Sequence, residues 1–333
     1  MLITAFGLKS YSQNPIPMGP FIGQQPKRSA IRAFLSKFTL SLSTGRGTTF
    51  YKHQLTGVGL VQKPDSLFIF DNVFNISNDT IPITHIGWFS NPISSSGTPI
   101  GPNDFVLNTD SAEVILKAKG KSTPFSAMLH FKFDRYRVGA GAEIEFHKFG
   151  TFTPTNFSDS IQGFKTPFKR ATFKRYFAMV GGTIYQFYDF SISADAQFGI
   201  MKYGKNFNPT VIQKGIFFNL GFNFEWNFSE YFQGFVRPSY EIKNYTVTIP
   251  ETGIEIDHKL PAFFLNFGVR LRLPELKKCI IKLCKTQINH VHWGREFRSR
   301  EHPLYKKQNP NYGENHRKLL RYKGKNKRKR NPF

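Results

Sequence analysis

Long apolar runs are missing from this sequence. No segment approaches the roughly 18 apolar residues that indicate a membrane-spanning helix. Phe and Tyr are nevertheless abundant, at 37 and 13 residues, and the mean hydropathy of −0.35 shows that apolar residues are dispersed among polar ones. Cysteine is scarce as well, so Cys279 and Cys284 allow at most one internal disulfide. The 333 residues are long enough to bury a substantial core.

Acidic residues are few compared with basic ones, 22 against 46, and the imbalance is uneven along the chain. Residues 274–333 hold 18 basic and 4 acidic residues, which gives +14 of the total +24. A basic chain invites a nucleic-acid interpretation, because Lys and Arg neutralise phosphates. Most of that charge lies in the C-terminal 60 residues, so the rest of the chain needs another explanation.

The clearest pattern lies in Gly215–Tyr240, where large apolar residues alternate with small, polar or charged ones. Side chains that alternate with a period of two lie on opposite faces of a β-strand. The next apolar stretch begins after only Ser229-Glu230, which predicts a tight hairpin. The residues of the apolar face are Phe218, Leu220, Phe222, Phe224, Trp226 and Phe228.

The same alternation recurs along the chain and predicts an all-β fold, an antiparallel up-and-down transmembrane β-barrel of 8–10 strands in residues 37–273. Gly45-Arg46-Gly47 is interpreted as the turn of a first hairpin, and eight strands result if that hairpin lies outside the wall. Residues 62–110 are predicted to be a loop or insert, and 274–333 a basic, largely irregular tail. The candidate strands are 37–46, 49–61, 111–120, 124–134, 136–148, 174–187, 189–202, 215–228, 231–246 and 261–273.

Tight and long connections alternate strictly in this assignment. Asp134, Tyr188 and Ser229 mark the tight turns, whereas the connections near 150–172, 203–213 and 244–260 are long. Outer-membrane barrels have short periplasmic turns and long external loops. We therefore expect a bacterial outer-membrane location, a wall in contact with membrane lipid and, with an even strand count, both chain ends in the periplasm.

Two further interpretations concern location. A soluble lipocalin-like barrel, with its apolar face turned inward, is the alternative to a membrane barrel. Residues 1–13 resemble the remnant of a signal peptide whose basic start is missing, although a frayed strand would look similar. Residues 14–36 are rich in Pro, Gly and Gln and are predicted to be an extended lead-in.

The opposite parity of the strands carries charges that would face the lumen. A barrel of eight to ten strands is barely wider than its own side chains, so we expect these charges to pair across the lumen and stabilise the wall. A conduit for protons or small solutes is the alternative, and it would make the protein a small-solute channel. The predicted lumen charges are Lys132, Arg137, Glu143, Glu145, Asp195, Glu225, Arg270 and Arg272.

Few residues suggest chemistry. Cys279 and Cys284, followed by His290-x-His292, are donor types suited to zinc, but the spacing matches no common structural zinc pattern. A disulfide between Cys279 and Cys284, or two idle thiols, is favoured, and we expect no metal and no cofactor. His130 and His147 lie near Glu143 and Glu145, which leaves an envelope enzyme as a third hypothesis. No Ser or Asp constellation accompanies them, so no catalytic residue is assigned.

The basic tail has too few apolar residues to fold alone and is predicted to order on a partner. Interleaved aromatic and basic residues could bind nucleic acid, but behind a barrel the suitable partners are a periplasmic protein, peptidoglycan or anionic lipid. A solvated tail without a partner remains the alternative. The predicted partner-binding residues are Trp293, Arg295, Arg298, Tyr305, Lys306, Lys307, Tyr312, Arg321, Lys327 and Arg328.

Several phrases carry a resemblance to a family: the last strand at Phe263–Leu273, YDF at 188–190, RPSYE at 237–241 and KKQNPNYGEN at 306–315. Over residues 110–333 the chain resembles outer-membrane β-barrel proteins of Bacteroidota, and more loosely OmpA-type and PorG-type barrels. The resemblance implies location and architecture rather than an activity. Together with the arm, it leads us to expect a structural or assembly role in the outer membrane.

Overall fold

The computed structural model describes residues 29–71, 80–87, 92–108, 113–187, 189–213, 215–229, 231–249, 253–281, 284 and 289–298. The predicted signal remnant lies outside these ranges, as do the tail residues from Tyr305 to Arg328 and most of the lead-in. The part of the lead-in that is described contains a short helix at Ala30–Leu35 rather than extended chain, because AIRAFL is made mostly of good helix formers. No helix in these ranges is long and apolar enough to cross a membrane.

The structure is dominated by β-strands, and antiparallel pairing builds its main sheet. In chain order the elements are α1 (Ala30–Leu35), β1 (Phe38–Leu55), β2 (Val58–Lys63), β3 (Ser66–Asp71), β4 (Thr80–Ile86), β5 (Ile93–Pro99), β6 (Phe105–Asn108), β7 (Val114–Phe133), β8 (Tyr136–Lys148), β9 (Thr153–Pro154), β10 (Arg170–Phe187), β11 (Phe190–Tyr203), β12 (Gly215–Asn227), β13 (Phe232–Thr248), β14 (Glu255–Lys259), β15 (Ala262–Arg272), β16 (Lys277–Lys278), β17 (His290–His292) and β18 (Arg295–Arg298).

The wall of the molecule is a ring of paired strands. Pairing runs from β1 through β7, β8, β10, β11, β12, β13 and β15 and returns to β1, always antiparallel and between neighbours. β14 pairs with β13 and β1, the same two neighbours as β15, so the two segments form one wall position interrupted at Leu260-Pro261. The wall therefore has eight positions, and the predicted antiparallel up-and-down barrel is confirmed.

The prediction of a turn at Gly45-Arg46-Gly47 was wrong. These residues lie inside β1, which is 18 residues long and replaces two predicted strands. A Cβ at Gly45 would lie 2.4 Å from the carbonyl oxygen of Leu265, so glycine is needed there for close contact with the next strand rather than for a turn. The candidate strands 111–120 and 124–134 likewise merge into β7, which continues through Pro124. Ten candidates thus become eight wall positions.

Short and long connections alternate around the wall, as the sequence predicts. Residues 134–135, 188–189 and 228–231 join strands at one end, which we call the turn end. Residues 56–113, 149–169, 204–214 and 249–254 join them at the other, the loop end. The last of these is shorter than the predicted connection near 244–260, because β13 continues to Thr248 and β14 begins at Glu255. β1 begins and β15 ends at the turn end, so the chain on both sides of the barrel leaves from that end.

The predicted loop or insert at 62–110 contains a second sheet of five strands, ordered β5-β4-β3-β2-β6. It lies between β1 and β7 at the loop end. Val58, Leu60 and Ile69 of this sheet are fully buried and belong to the same apolar cluster as Phe152 and Ile161 of the connection 149–169. The insert is therefore packed against the loop end of the barrel.

The two faces of the wall strands differ sharply in character. On β12 the aromatic and aliphatic residues from Phe218 to Trp226 point outward, with Phe222 54% and Trp226 60% exposed. Their neighbours Asn219, Asn223 and Glu225 point inward and are buried. A lipocalin-like barrel would have the opposite arrangement, so that alternative does not describe this wall.

Candidate functional site

The lumen near the turn end contains a network of buried ion pairs. Arg137 of β8 reaches Glu225 of β12 at 2.7 Å and Asp195 of β11 at 3.2 Å. Arg237 of β13 donates two hydrogen bonds to Asp195 Oδ1, at 2.6 and 2.9 Å. Arg270 of β15 pairs with Glu225 and is, like the other four, at least nine-tenths buried. Since the partners come from different strands, the network ties opposite sides of the wall together.

A second group of charges lies next along the lumen toward the loop end. Arg175 of β10 contacts Glu143 and Glu241, and its guanidinium lies 3.0 Å from Glu145. Lys243 of β13 is fully buried and lies 2.9 Å from both Glu145 and Glu241. Buried charges of both signs that contact one another avoid the large cost of an uncompensated charge.

The structure brings six of the eight predicted lumen charges into these two groups: Arg137, Glu143, Glu145, Asp195, Glu225 and Arg270. Lys132 is exposed and Arg272 half-buried, both at the turn end. Sequence reasoning missed Arg175, Arg237, Glu241 and Lys243. Arg237, Glu241 and Lys243 alternate with Pro238, Tyr240 and Ile242. The period of two would therefore have placed these three charges on the lumen face.

Arg175 was missed for a different reason. Its inward neighbours on β10 are Phe173, Phe177 and Met179, which are all buried, whereas Tyr176 and Val180 point outward. Both faces of this strand carry apolar residues, so the alternation in the sequence does not show which face points into the lumen. The tertiary structure decides the matter, because only one face of β10 points toward the carboxylates of its neighbour β8 and of β13 across the lumen.

The His and Glu residues behind the third hypothesis, an envelope enzyme, come together only in part. His147 Nε2 lies 2.7 Å from Glu145 Oε1, and His147 Nδ1 lies 3.1 Å from Ser122 Oγ. His130 instead lies beside Ser41, with Nδ1 3.4 Å from Oγ. Ser122, His147 and Glu145 are each at most 2% exposed, so their order resembles a nucleophile, base and acid but they are enclosed in the lumen.

Toward the loop end the lumen is filled by aromatic rings. His53 stacks on Phe152 at 4.3 Å between ring centroids, and His258 stacks on Tyr245 at 4.6 Å. Phe207 packs on Tyr245 at 5.9 Å. Phe152 and Phe207 come from the connections 149–169 and 204–214, so the connections at the loop end supply part of this aromatic cluster. The lumen is therefore occupied by ion pairs at one level and by aromatic residues at the next.

Basic residues cluster on the outside of the wall near the loop end. Lys148 of β8 is directly opposite Lys121 of β7 and also directly opposite Arg170 of β10, and all three are exposed. Lys174 and Lys202 form a further in-register pair on β10 and β11. Like charges in direct register destabilise a sheet unless an anion lies over them.

The start of the predicted irregular tail forms a small three-stranded sheet. β18 lies in the centre, parallel to β16 and antiparallel to β17. Trp293 and Gly294, both with positive φ, make the turn between β17 and β18. We call residues 274–298 the C-terminal knuckle.

The knuckle is attached to the turn end of the barrel. Arg298 contacts the Tyr231 hydroxyl and lies over the Tyr231 ring at 4.6 Å, while Arg32 Nε donates to the Pro274 carbonyl at 2.8 Å. Arg298 is 5% exposed and anchors the knuckle against the Tyr231 turn, and its contact with a partner stays a prediction. Trp293 and Arg295 of the predicted partner-binding set are exposed.

The knuckle also gathers sulfur and imidazole ligands. One atom each of Cys279, Cys284, His290 and His292 lies within 4.8 Å of the others, a set that could hold a transition metal. Cys284 Sγ is 3.3 Å from His290 Nε2. In this structure the two cysteines are thiols close to the two imidazoles, which is the second of the two alternatives that the sequence left open.

No protein-family model and no curated protein matches the chain. Among solved structures it is similar to the outer membrane protease OmpT of Escherichia coli, at 11% identity over 72% of this chain and 97% of that chain, with a TM-score of 0.32. It is also similar to the outer membrane protein OprG of Pseudomonas aeruginosa, at 9% identity over 67% and 96%, with a TM-score of 0.34. None of these matches tests the predicted resemblance to Bacteroidota, OmpA-type or PorG-type barrels. At TM-scores this low, the likenesses carry no argument about activity.

Proposed function

We propose that this protein is a non-enzymatic outer-membrane β-barrel with a structural or assembly role, whose basic C-terminal arm docks on a periplasmic partner. One observation carries the proposal: the wall is apolar outside, and ion pairs and aromatic rings of the described residues occupy its lumen. Such a wall offers lipid contact without offering a passage.

The outer surface supports a membrane location. Large apolar side chains on successive wall strands are exposed, among them Phe125 and Leu129 on β7, Phe222 on β12 and Phe267 on β15. Soluble monomers rarely expose contiguous apolar patches of this kind. A ring of fully paired strands also satisfies the backbone polar groups, as the hydrocarbon layer of a membrane requires.

The two ends of the barrel support the proposed orientation in the membrane. Short turns at one end and long connections at the other match the periplasmic and external sides of outer-membrane barrels. The basic row at Lys121, Lys148 and Arg170 lies near the loop end, where anionic lipid head groups would neutralise it. The C-terminal knuckle then lies on the periplasmic side, against the Tyr231 turn.

The arm is the part available for recognition. Beyond the knuckle the sequence remains strongly basic, and Tyr305, Tyr312 and Tyr322 are interspersed among the charges. In the periplasm an acidic protein face, the carboxylates of peptidoglycan or anionic lipid would suit this chemistry, and nucleic acid would not be present. We favour an acidic protein or cell-wall partner.

Cell fractionation tests the location. The protein should be recovered with detergent-extracted outer membrane and should migrate differently on a gel before and after heating. Recovery in the soluble fraction would contradict the proposal.

Truncation tests the arm. A chain ending at Arg298 should keep the barrel and the knuckle but lose the partner in a pull-down from solubilised envelopes. The control retains the full length and replaces the exposed barrel-end residue Lys132 by Gln, which should keep the partner. Equal recovery of the partner with the truncated and full-length chains would contradict a docking role for the arm.

A further inference from the structure

We propose that Cys279, Cys284, His290 and His292 bind one zinc ion, which folds the C-terminal knuckle. This site is separate from the barrel lumen, and the inference does not depend on the proposed membrane location. Neither the composition of the chain nor its barrel architecture implies that it binds zinc.

The four ligand atoms are close enough to share one ion. Their largest mutual separation is 4.8 Å, and Cys284 Sγ and His290 Nε2 are already 3.3 Å apart. Zinc bonds of about 2.3 Å to sulfur and about 2.0–2.1 Å to nitrogen place tetrahedral ligand atoms about 3.3–3.8 Å apart. Small side-chain rotations therefore suffice to complete a tetrahedron.

Local structure positions the two histidines. His290 and His292 are two apart on β17, so the period of a strand places both rings on one face. Their ring centroids are 4.7 Å apart. The tight turn at Trp293-Gly294 then brings β18 alongside, and its Phe297 ring lies 6.2 Å from His292.

The two cysteines arrive from a separate stretch of chain. Cys279 follows β16, and its backbone N–H donates to the Arg298 carbonyl at 2.9 Å. The Cys284 backbone N–H donates to the Ile281 carbonyl at 3.2 Å. Neither of these two hydrogen bonds by itself explains why Cys279 and Cys284 lie close to the same two histidines.

The knuckle lacks the apolar core that its fold would otherwise need. In its described residues Cys279 and Phe297 are the buried apolar side chains, whereas Ile280, Val291 and Trp293 are more than half exposed. Domains below about 40 residues usually need a metal, disulfides or a partner to fold. His292 Nε2 is buried and has no hydrogen-bond partner among the described residues, which a metal bond would correct.

The donor set selects the ion. Two thiolates and two imidazoles in a tetrahedral arrangement favour zinc, whereas magnesium and calcium prefer oxygen ligands. Each thiol loses its proton on binding, so two protons leave as one Zn²⁺ enters and the site becomes neutral overall. Zinc would also fix Arg298 against Tyr231 and so hold the start of the arm at the barrel.

Metal analysis of the full-length protein in detergent tests the site. We expect about one zinc per chain, and background zinc in Cys279→Ser and His292→Gln variants. The matched control is Glu296→Gln, a change on β18 that removes none of the four ligands and should retain zinc. Heat-dependent gel migration shows whether each barrel is folded, because no wall strand contains a ligand.

Thiol labelling separates zinc from the two other states of the cysteines. With zinc bound, a maleimide should label Cys279 and Cys284 only after a chelator is added. Labelling that needs a reductant would show a disulfide and overturn the proposal, as would immediate labelling of a metal-free protein or the presence of another metal. Cobalt in place of zinc should give a sulfur-to-cobalt charge-transfer band that Cys279→Ser abolishes.

Discussion

Arg175 shows how a single side chain can organise this lumen. Its guanidinium contacts Glu143 and Glu241 and lies 3.0 Å from Glu145, with less than a tenth of its surface exposed. The ring of Phe264 lies 5.5 Å from its central carbon and completes the enclosure. A buried ion pair adds little net stability over a well-packed apolar replacement, but removing one partner leaves the others uncompensated.

Replacing Arg175 by Met should therefore destabilise the barrel by about 3–5 kcal/mol, because three carboxylates lose a shared cation. Denaturant-induced unfolding in lipid vesicles measures the change in the free energy of unfolding. Lys132→Met removes an exposed cation and should change it by at most about 0.5 kcal/mol. Equal effects of the two substitutions would show that the lumen network does not stabilise the wall.

Strands β1 and β7 show at the scale of elements why local signals misplace boundaries. Gly45, Gly47 and Pro124 have the composition of turns, yet β1 and β7 run through them for 18 and 20 residues. The Thr44 hydroxyl donates a hydrogen bond to the Pro124 carbonyl at 3.1 Å. This bond links β1 and β7 at the residue where proline has no backbone N–H to donate. Close packing between neighbouring strands thus overrides local turn preference.

The outward row of β12 leads to a prediction about its surroundings. Phe222 lies near the middle of the strand and is 54% exposed, so Phe222→Arg places a charge in the proposed lipid layer. We expect a loss of about 2–4 kcal/mol in the free energy of unfolding measured in vesicles. Phe222→Leu keeps the surface apolar and should cost far less. If the two variants are equally stable, the row does not contact lipid.

The whole molecule combines a wall of eight positions, a filled lumen and attachments at both ends. The insert sheet packs at the loop end and the knuckle lies at the turn end. Ion pairs and aromatic rings occupy successive levels of the lumen. This arrangement supports the proposed structural role over the alternative of a small-solute channel.

Planar-bilayer recordings should accordingly show no reproducible discrete openings of the full-length protein, because side chains fill the lumen. A porin reconstituted under the same conditions serves as the positive control. Reproducible openings of defined size would support the channel and contradict the structural role.

The sequence by itself determined the fold class, the outward face of most strands and the alternation of turns and loops, because a period of two and turn composition are local properties. Only the tertiary structure decided the strand number, the place of Arg175 and the convergence of Cys279 with His292. Each of these depends on contacts between segments far apart in the chain. The His290-x-His292 spacing places two histidines on one face of a strand. The cysteines lie close to them because β16 and β17 pair with β18 on either side.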